Sequence, residues 1–322
     1  MDYEELLMEK TAWYYYLENM TQQKISELLG ISRMRVIQLL NKARKDGVIQ
    51  FKIRHDSARR METERDLIDV FGLNDAFVVP TNPVRENNNE TVAKAAAMYI
   101  QDRLEPNAFI NIGYGDTPSR VLNNLANMAE NPISVVSLTG GVRYYLPNTQ
   151  SNIFNARLYL LPTPLLASSK EMAEAMLQEA SVKEVMKLAS LSPITVVGIG
   201  GINEESTVMK SGIMGRNDFL LMKMRGAAGD ILCHFINKDG EPVDTDIEDR
   251  LISTPLSTLK TLNNVIGVAA GKSKVEAISA ALAGQYLNVL ITDEETAIQL
   301  IAVKRAALEE KSERIGGKRH AK

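Results

Sequence analysis

The sequence predicts two modules of different class, a small helical nucleic-acid-binding module in front and a larger α/β module behind it. Three observations carry this. Residues 21–46 read as two short helices around a tight turn at Gly30. Residues 20–60 hold ten Lys and Arg against three acids, a net of +7 in a chain whose total is −3. From Asp75 onward, short apolar β-rich runs alternate with amphipathic helical stretches, the pattern of a parallel sheet covered on both faces.

Composition limits the remaining classes. With 322 residues, 45% hydrophobic and 24% charged, the chain suits a soluble globular protein of two domains. Cys233 is the single cysteine, which excludes an intrachain disulfide framework and a Cys-based zinc cluster and fits a reducing compartment. No apolar run approaches the roughly 18 residues of a membrane span, and the N-terminus is acidic rather than signal-like. A cytoplasmic location without membrane contact is expected.

In chain order, residues 3–19 predict a supporting helix with Tyr3, Leu6, Leu7, Trp13, Tyr14 and Leu17 on one side. The aromatic run 13–16 is expected to be mostly core. Thr21 is an N-cap, and Ile25, Leu28 and Leu29 share a face of the next helix. Ser32 caps a third helix, whose stripe is Val36, Leu39, Leu40 and Ala43 and whose stop is Gly47. Neither start completes a capping box, because Lys24 and Arg35 stand where Glu or Gln is needed.

The outer side of that third helix carries Met34, Gln38, Asn41 and Lys45, flanked by Arg33, Arg35 and Lys42. Long donors with almost no acid suit the DNA major groove, where Arg reads guanine, Gln or Asn reads adenine, and Lys holds phosphate. The same spacing also fits an ordinary helical hairpin with a solvated basic face. Residues 48–54 alternate apolar and polar and predict a half-buried strand placed as a wing. A charged connector, 55–66, leads into a short helix, 67–71, ending at Gly72. The expected domains are 1–56 and 57–305. A basic tail, 306–322, is expected to be partly disordered.

Within the second module, strands are expected at 76–79, 109–112, 134–138, 158–161, 195–199, 265–269 and 287–292. Helices are expected at 91–103, 118–129, 170–179, 182–188, 274–283 and 294–310. Ligands of such sheets sit at the carboxyl ends of the strands. Three of those ends are informative. Gly113-Tyr114-Gly115-Asp116-Thr117-Pro118 runs from a strand into a helix, and glycines with free N–H groups at a helix start can hold an anion. It is neither a Walker loop nor GxGxxG. Thr139-Gly140-Gly141 stands at a second strand end, and Lys272 and Lys274 follow a third. Each is also readable as a plain turn or a surface Lys pair, but together they favour a phosphorylated small ligand. Gly198-Ile199-Gly200-Gly201 offers a fourth turn. Asp230, placed after a flexible Gly-Ala stretch, could accept from sugar hydroxyls or cap a helix. His234 and His320 stand isolated. No metal-spaced set and no nucleophile–base pair is legible, so no cofactor is expected.

The order AWYYYLENMTQQKISELLGISRMRVIQLLNKARKDGVI, IGYGDTPSR, SLTGG, LPTPLLASS, VVGIGG, GAAGDIL, GKSKVEAI, YLNVLITDEETA resembles the SorC family of bacterial sugar-responsive transcriptional regulators. The resemblance covers about residues 6–300, and the tail from 303 matches nothing. It implies a winged helix–turn–helix followed by a Rossmann-type effector domain similar to sugar-phosphate isomerases and CoA-transferases. It implies a phosphorylated sugar effector, operator DNA as partner, and homo-oligomers built as dimers of dimers. On this resemblance the phosphate lies against Gly113, Gly115, Thr117, Thr139, Gly140, Gly141 and Lys274, with Lys272 ranked lower. Asp230 faces the hydroxyls, and Gln22, Ser32, Arg33, Arg35 and Gln38 meet DNA.

The expected function is a repressor of a carbohydrate operon, relieved by its ligand, and not an enzyme. The rival is a sugar-phosphate isomerase on the same fold. That chemistry needs a general base; Asp116 and Asp230 are the candidates, without an evident His partner, and residues 20–60 stay unexplained. A sensor acting through protein partners alone leaves Arg33, Arg35 and Gln38 without a role.

Overall fold

The computed structural model describes residues 3–49, 55–141, 156–203, 206–210 and 212–317. The chain divides into two compact units, 1–58 and 59–322.

The first unit is helical, with α1 (Tyr3–Tyr16), α2 (Gln22–Leu29) and α3 (Arg33–Lys45). Local chemistry sets its corners. Thr21 Oγ1 accepts the Lys24 N–H at 3.3 Å, and Gly30 ends α2 at φ 64°, where a side chain would be strained. Ser32 Oγ then accepts the Arg35 N–H at 3.2 Å and starts α3. Met8 and Ala12 pack on Leu39 and Ala43, while Ile25, Val36 and Leu40 close the other side.

Two expected faces differ. The inner side of α1 is Met8, Thr11 and Ala12, and Tyr3, Leu6, Trp13 and Leu17 point outward. Leu28 of α2 is also exposed. α1 is apolar on two sides, so periodicity alone could not choose between them. The expected wing falls largely on residues 50–54, which lie outside the described residues. Ile49 packs against the α1–α3 core, and its N–H donates to Ala43 O at 3.2 Å.

α4 (His55–Phe71) is one continuous helix where a connector and a short helix were expected. The second unit continues with β1 (Asp75–Val79), α5 (Arg85–Gln101), β2 (Phe109–Ile112), α6 (Asp116–Met128), β3 (Ile133–Gly141), β4 (Ala156–Pro164), α7 (Lys170–Gln178), α8 (Ala180–Leu191) and β5 (Ile194–Gly198). Then come β6 (Gly200–Gly201), α9 (Thr207–Lys210), α10 (Arg216–Met224), β7 (Ala227–Ile231), β8 (His234–Asn237), α11 (Leu256–Leu259), β9 (Val265–Val268), α12 (Val275–Ala283), β10 (Val289–Asp293) and α13 (Glu294–Gly317). α13 runs through residue 305, where the sequence reading ended the domain.

Seven strands form one parallel sheet in the order β1-β10-β9-β5-β2-β3-β4. Apolar clusters cover both faces. Leu138, Val197, Ile278 and Leu290 belong to one, and Ile110, Val121, Val196 and Ile291 to the other. The chain runs outward from β2 to β4, returns to β5 beside β2, and then proceeds through β9 and β10 to the opposite side. The direction of winding therefore reverses between β2 and β5, where open α/β sheets place their ligands. None of the described helices is long and apolar enough to cross a membrane.

β6, β7 and β8 form a small antiparallel sheet that was not expected. The Gly-Ala stretch before Asp230 is buried strand, not a flexible segment. Its small residues serve close approach: a Cβ on Gly229 would strike Ala277 of α12.

Candidate functional site

The outer face of α3 carries the predicted DNA residues. Ser32, Arg33 and Gln38 are exposed and Arg35 is half-buried, all within the first two turns, while Gln22 begins α2. Arg35 Nη1 donates to Gln38 Oε1 at 3.4 Å, so the two form one polar surface. Glu4 of α1 reaches the same surface. Its Oε1 lies 3.2 Å from Arg35 Nη2 and 3.3 Å from Lys42 Nζ, and those cations hold its carboxyl below the usual range, Lys42 foremost. Glu4 was not singled out from sequence, since its partners lie 31 and 38 positions away. From the aromatic run, the Tyr16 hydroxyl accepts Arg44 Nε–H at 2.8 Å.

In the second unit the predicted loops converge at the carboxyl ends of adjacent strands. Gly113 follows β2, and its N–H donates to Val196 O of β5 at 2.8 Å. Gly115, at φ 145°, starts α6 without any side-chain cap. Thr117 is buried in the first turn of α6. That helix is braced from outside: Asp116 receives Asn89 Nδ2 at 3.2 Å and Arg120 Nε at 3.2 Å, and Arg120 Nη1 also reaches Glu90 at 2.9 Å. No local pattern in the sequence assigns Asn89, Glu90 or Arg120 a role, because their meeting depends on how α5 packs on α6.

Thr139, Gly140 and Gly141 lie within β3, not beyond it. The Gly140 N–H donates to Ile252 O at 2.8 Å, and a Cβ on Gly140 would strike Pro164 O. This glycine answers a packing need, and its N–H already has an acceptor. Gly141 is exposed beside β4, and its carbonyl accepts Leu165 N–H at 2.9 Å. Thr139 Oγ1, by contrast, is buried with no hydrogen-bond partner among the described residues.

Asp230 is buried on β7, directly opposite Gly200 of β6. A Cβ on Gly200 would fall on Asp230 Oδ1, so glycine is required there. Burial pushes the Asp230 carboxyl up to about 6, opposed first by the Lys274 ammonium, then by the Cys233 N–H and His234. Lys274 stands in the short 3-10 turn Lys272–Lys274, with its side chain on the Gly201 side of the site.

Two further links join the parts. Leu232 and Cys233 form the β7–β8 turn with φ 54° and 68°, a conformation that costs energy for non-glycine residues. Leu232 packs so near Gly113 that a Cβ there would lie 2.6 Å from Leu232 Cδ2. Residues 252–254 tie the end of β3 to this turn: Thr254 N–H donates to Leu138 O at 2.8 Å, and Ser253 Oγ to Leu232 O at 2.9 Å. His234, isolated in sequence, lies between Glu248 Oε1 at 2.6 Å and Thr254 O at 3.0 Å. Gly113, Gly115, Thr117, Thr139, Asp230 and Lys274 thus belong to one end of the sheet around the β2–β5 crossing, with Gly141 on its outer margin. Among the described residues, no group of three His, Cys, Asp or Glu could hold a metal ion.

Comparison with known proteins agrees with this division. Residues 55–302 match the Sugar-bind family, described by its sugar-binding domain, and residues 13–46 match Sigma-70, region 4. The transcriptional regulator LsrR of Klebsiella pneumoniae is 34% identical over 307 residues, covering 93% of this chain and 94% of that protein. LsrR of Enterobacter sp. strain 638 is 35% identical over 309 residues, with 93% and 94% covered. Among solved structures, the full-length sorbitol operon regulator SorC from Klebsiella pneumoniae superposes with a TM-score of 0.67 at 25% identity, over 94% of this chain and 99% of that one. A helix–turn–helix in front of an α/β sugar-binding domain, matched over nearly its full length by such regulators, makes this chain a member of the SorC-like family of sugar-binding transcriptional regulators.

Proposed function

We propose that the chain is a cytoplasmic repressor of a carbohydrate-utilisation operon that releases its operator when a phosphorylated sugar binds. The effector half is supported by Lys274 acting on the buried Asp230 carboxyl, and by the start of α6, which has no side-chain cap, following β2 where the sheet reverses its winding. Phosphate is favoured by the α6 N-terminus and Lys274. Asp230 accepts from sugar hydroxyls, and Thr139 Oγ1 supplies a polar partner. Gly113 and Gly140 contribute shape, since their N–H groups bond within the fold; Gly115 and Thr117 lie nearest the helix start, and Gly141 at the rim.

Gln22, Ser32, Arg33, Arg35 and Gln38 meet operator DNA. Homo-oligomers, assembled as dimers of dimers, present the DNA units in pairs, so an effector that prefers one arrangement of the pair changes operator affinity. An isomerase reading is disfavoured by Asp116, one of its two possible bases, whose carboxylate is held by Arg120 and Asn89.

The test is a thermal-shift screen of hexose and pentose phosphates, followed by operator release in a gel-shift titration. A hit should raise the melting temperature by mass action. Lys274→Ala should lose that shift and the release while operator affinity stays within about twofold. Equal effector affinity in Lys274→Ala refutes the phosphate assignment, and turnover of the hit compound would favour the enzyme.

A further inference from the structure

α1 buries one side in its own unit and leaves a second apolar stripe uncovered. Tyr3 is 78% exposed, Leu6 41%, Trp13 56% and Leu17 62%. With Lys10 these positions step by three, four, three and four residues, the a/d spacing of paired helices. Leu17 belongs to the same turn of chain, its N–H donating to Trp13 O at 2.9 Å. Met8, Thr11 and Ala12 occupy the opposite side and face α3.

The stripe is close to a palindrome about Lys10. Tyr3 and Leu17 lie seven residues to either side, Leu6 and Trp13 four and three. An antiparallel pair of identical helices therefore seats Tyr3 on the second copy's Leu17 and Leu6 on its Trp13. Charge selects this direction. Glu4, Glu5 and Glu9 lie in the first half of α1, and residues 11–17 carry no charge. Parallel pairing would gather the acids of both copies at one end, whereas antiparallel pairing separates them; Lys10 faces Lys10 at the crossing in either direction and does not select between them.

We propose that this outward side of α1 pairs with the same side of a second copy of this chain, the two helices running antiparallel and crossing at Lys10. The inference rests on the homo-oligomer reading above and names the surface that joins its DNA-binding units. The spacing is of the right order, short by about 4–12 Å. Packed helices lie about 8–10 Å apart, so the path α3–α1–α1–α3 puts the two recognition helices about 24–30 Å apart before any sideways offset. Half-sites one helical turn apart need about 34–36 Å. A two-helix contact is much smaller than the roughly 1,200–2,000 Å² of a stable interface. It forms once the effector units hold two chains at high effective concentration, and a small shift there can open it.

The test uses the full chain. Lys10→Cys, under mild copper–phenanthroline oxidation, should give a disulfide-linked dimer on a non-reducing gel. Wild type should not, because its one cysteine, Cys233, is buried. Leu17→Cys alone should link at least tenfold less, since antiparallel pairing holds the two Leu17 positions about 21 Å apart along the helix at 1.5 Å per residue. Trp13 is the single tryptophan, so its emission reads the contact without a label. Leu6→Glu, at an exposed position, should move that emission to the red with an unchanged far-ultraviolet circular dichroism spectrum.

Equal linking by Leu17→Cys overturns the antiparallel pairing. A Lys10→Cys chain that does not link, although light scattering shows a dimer or larger, overturns the surface and leaves the oligomer intact. Blue-shifted Trp13 emission without linking assigns the stripe to another occupant, such as the chain's own effector unit, and also overturns it. A monomer by light scattering refutes the oligomer reading itself.

Discussion

Replacing Asp230 with Asn should stabilise the effector unit at neutral pH and abolish its response to effector. Burial lifts this carboxyl from 3.8 to about 6. At roughly 1.4 kcal/mol per unit, that shift is worth ~3 kcal/mol. An acid whose folded-state pKa is raised holds its proton more tightly folded than unfolded. Stability is therefore highest at about pH 3 and below, where both states are protonated. It falls as the pH rises from about 4 to about 6, and the loss persists above that. Asparagine keeps the shape and has no charge to desolvate, so the fall should be absent. Urea unfolding of both proteins across this range measures it. The gap should grow from near zero at about pH 3 to ~3 kcal/mol in favour of D230N at about pH 8. A variant less stable than wild type at the higher pH, or a gap that does not change with pH, would show that burial does not dominate at this carboxylate. Gain in stability with loss of response is the expected pattern for a site residue held at a cost.

Gly200→Ala should cost about 1–3 kcal/mol by overpacking and remove the effector-induced thermal shift, because the new methyl falls on Asp230 Oδ1; a normal shift in calorimetry contradicts the geometry. Ser32→Ala should remove about 0.5–2 kcal/mol from the helical unit through loss of the α3 cap, read as earlier loss of helical circular dichroism on heating. Glu4→Gln releases Arg35 and Lys42 and should tighten binding to a generic DNA duplex with a steeper salt dependence. Fluorescence anisotropy showing the same salt slope would mean that Glu4 does not compete with phosphate.

The corners of the helical unit were legible because they are local. Thr21, Gly30 and Ser32 act on backbone groups within three or four residues, and each does so where expected. The orientation of α1 was not legible, because both of its sides are apolar and only Leu39 and Ala43, distant in sequence, select the inner one. In the effector unit the parallel strands announced themselves as apolar runs. β7 does not, because the small residues Ala227, Ala228 and Gly229 suggest flexibility in sequence, whereas their smallness serves contact with α12. The strand-end loops were found by their glycines, but the reason for each glycine came only from its neighbour: Leu232 for Gly113, Pro164 for Gly140, Asp230 for Gly200. The bracing of α6 by Asn89 and Arg120 rests on long-range packing that no local pattern encodes.

The pairing of β1 with β10 has a consequence for how the protein is made. Val79 of the first effector strand lies beside Asp293 of the last, so β1 leaves the ribosome roughly 200 residues before its neighbour exists. At about 5–20 residues per second, that edge stays open for about 10–40 s during synthesis, while the DNA-binding helices ahead of it can already fold. Any contact between chains that needs the finished sheet must wait for the same moment. A message truncated before β10 would leave a nucleic-acid-binding unit attached to an incomplete sensor, one that could occupy DNA without answering to a ligand.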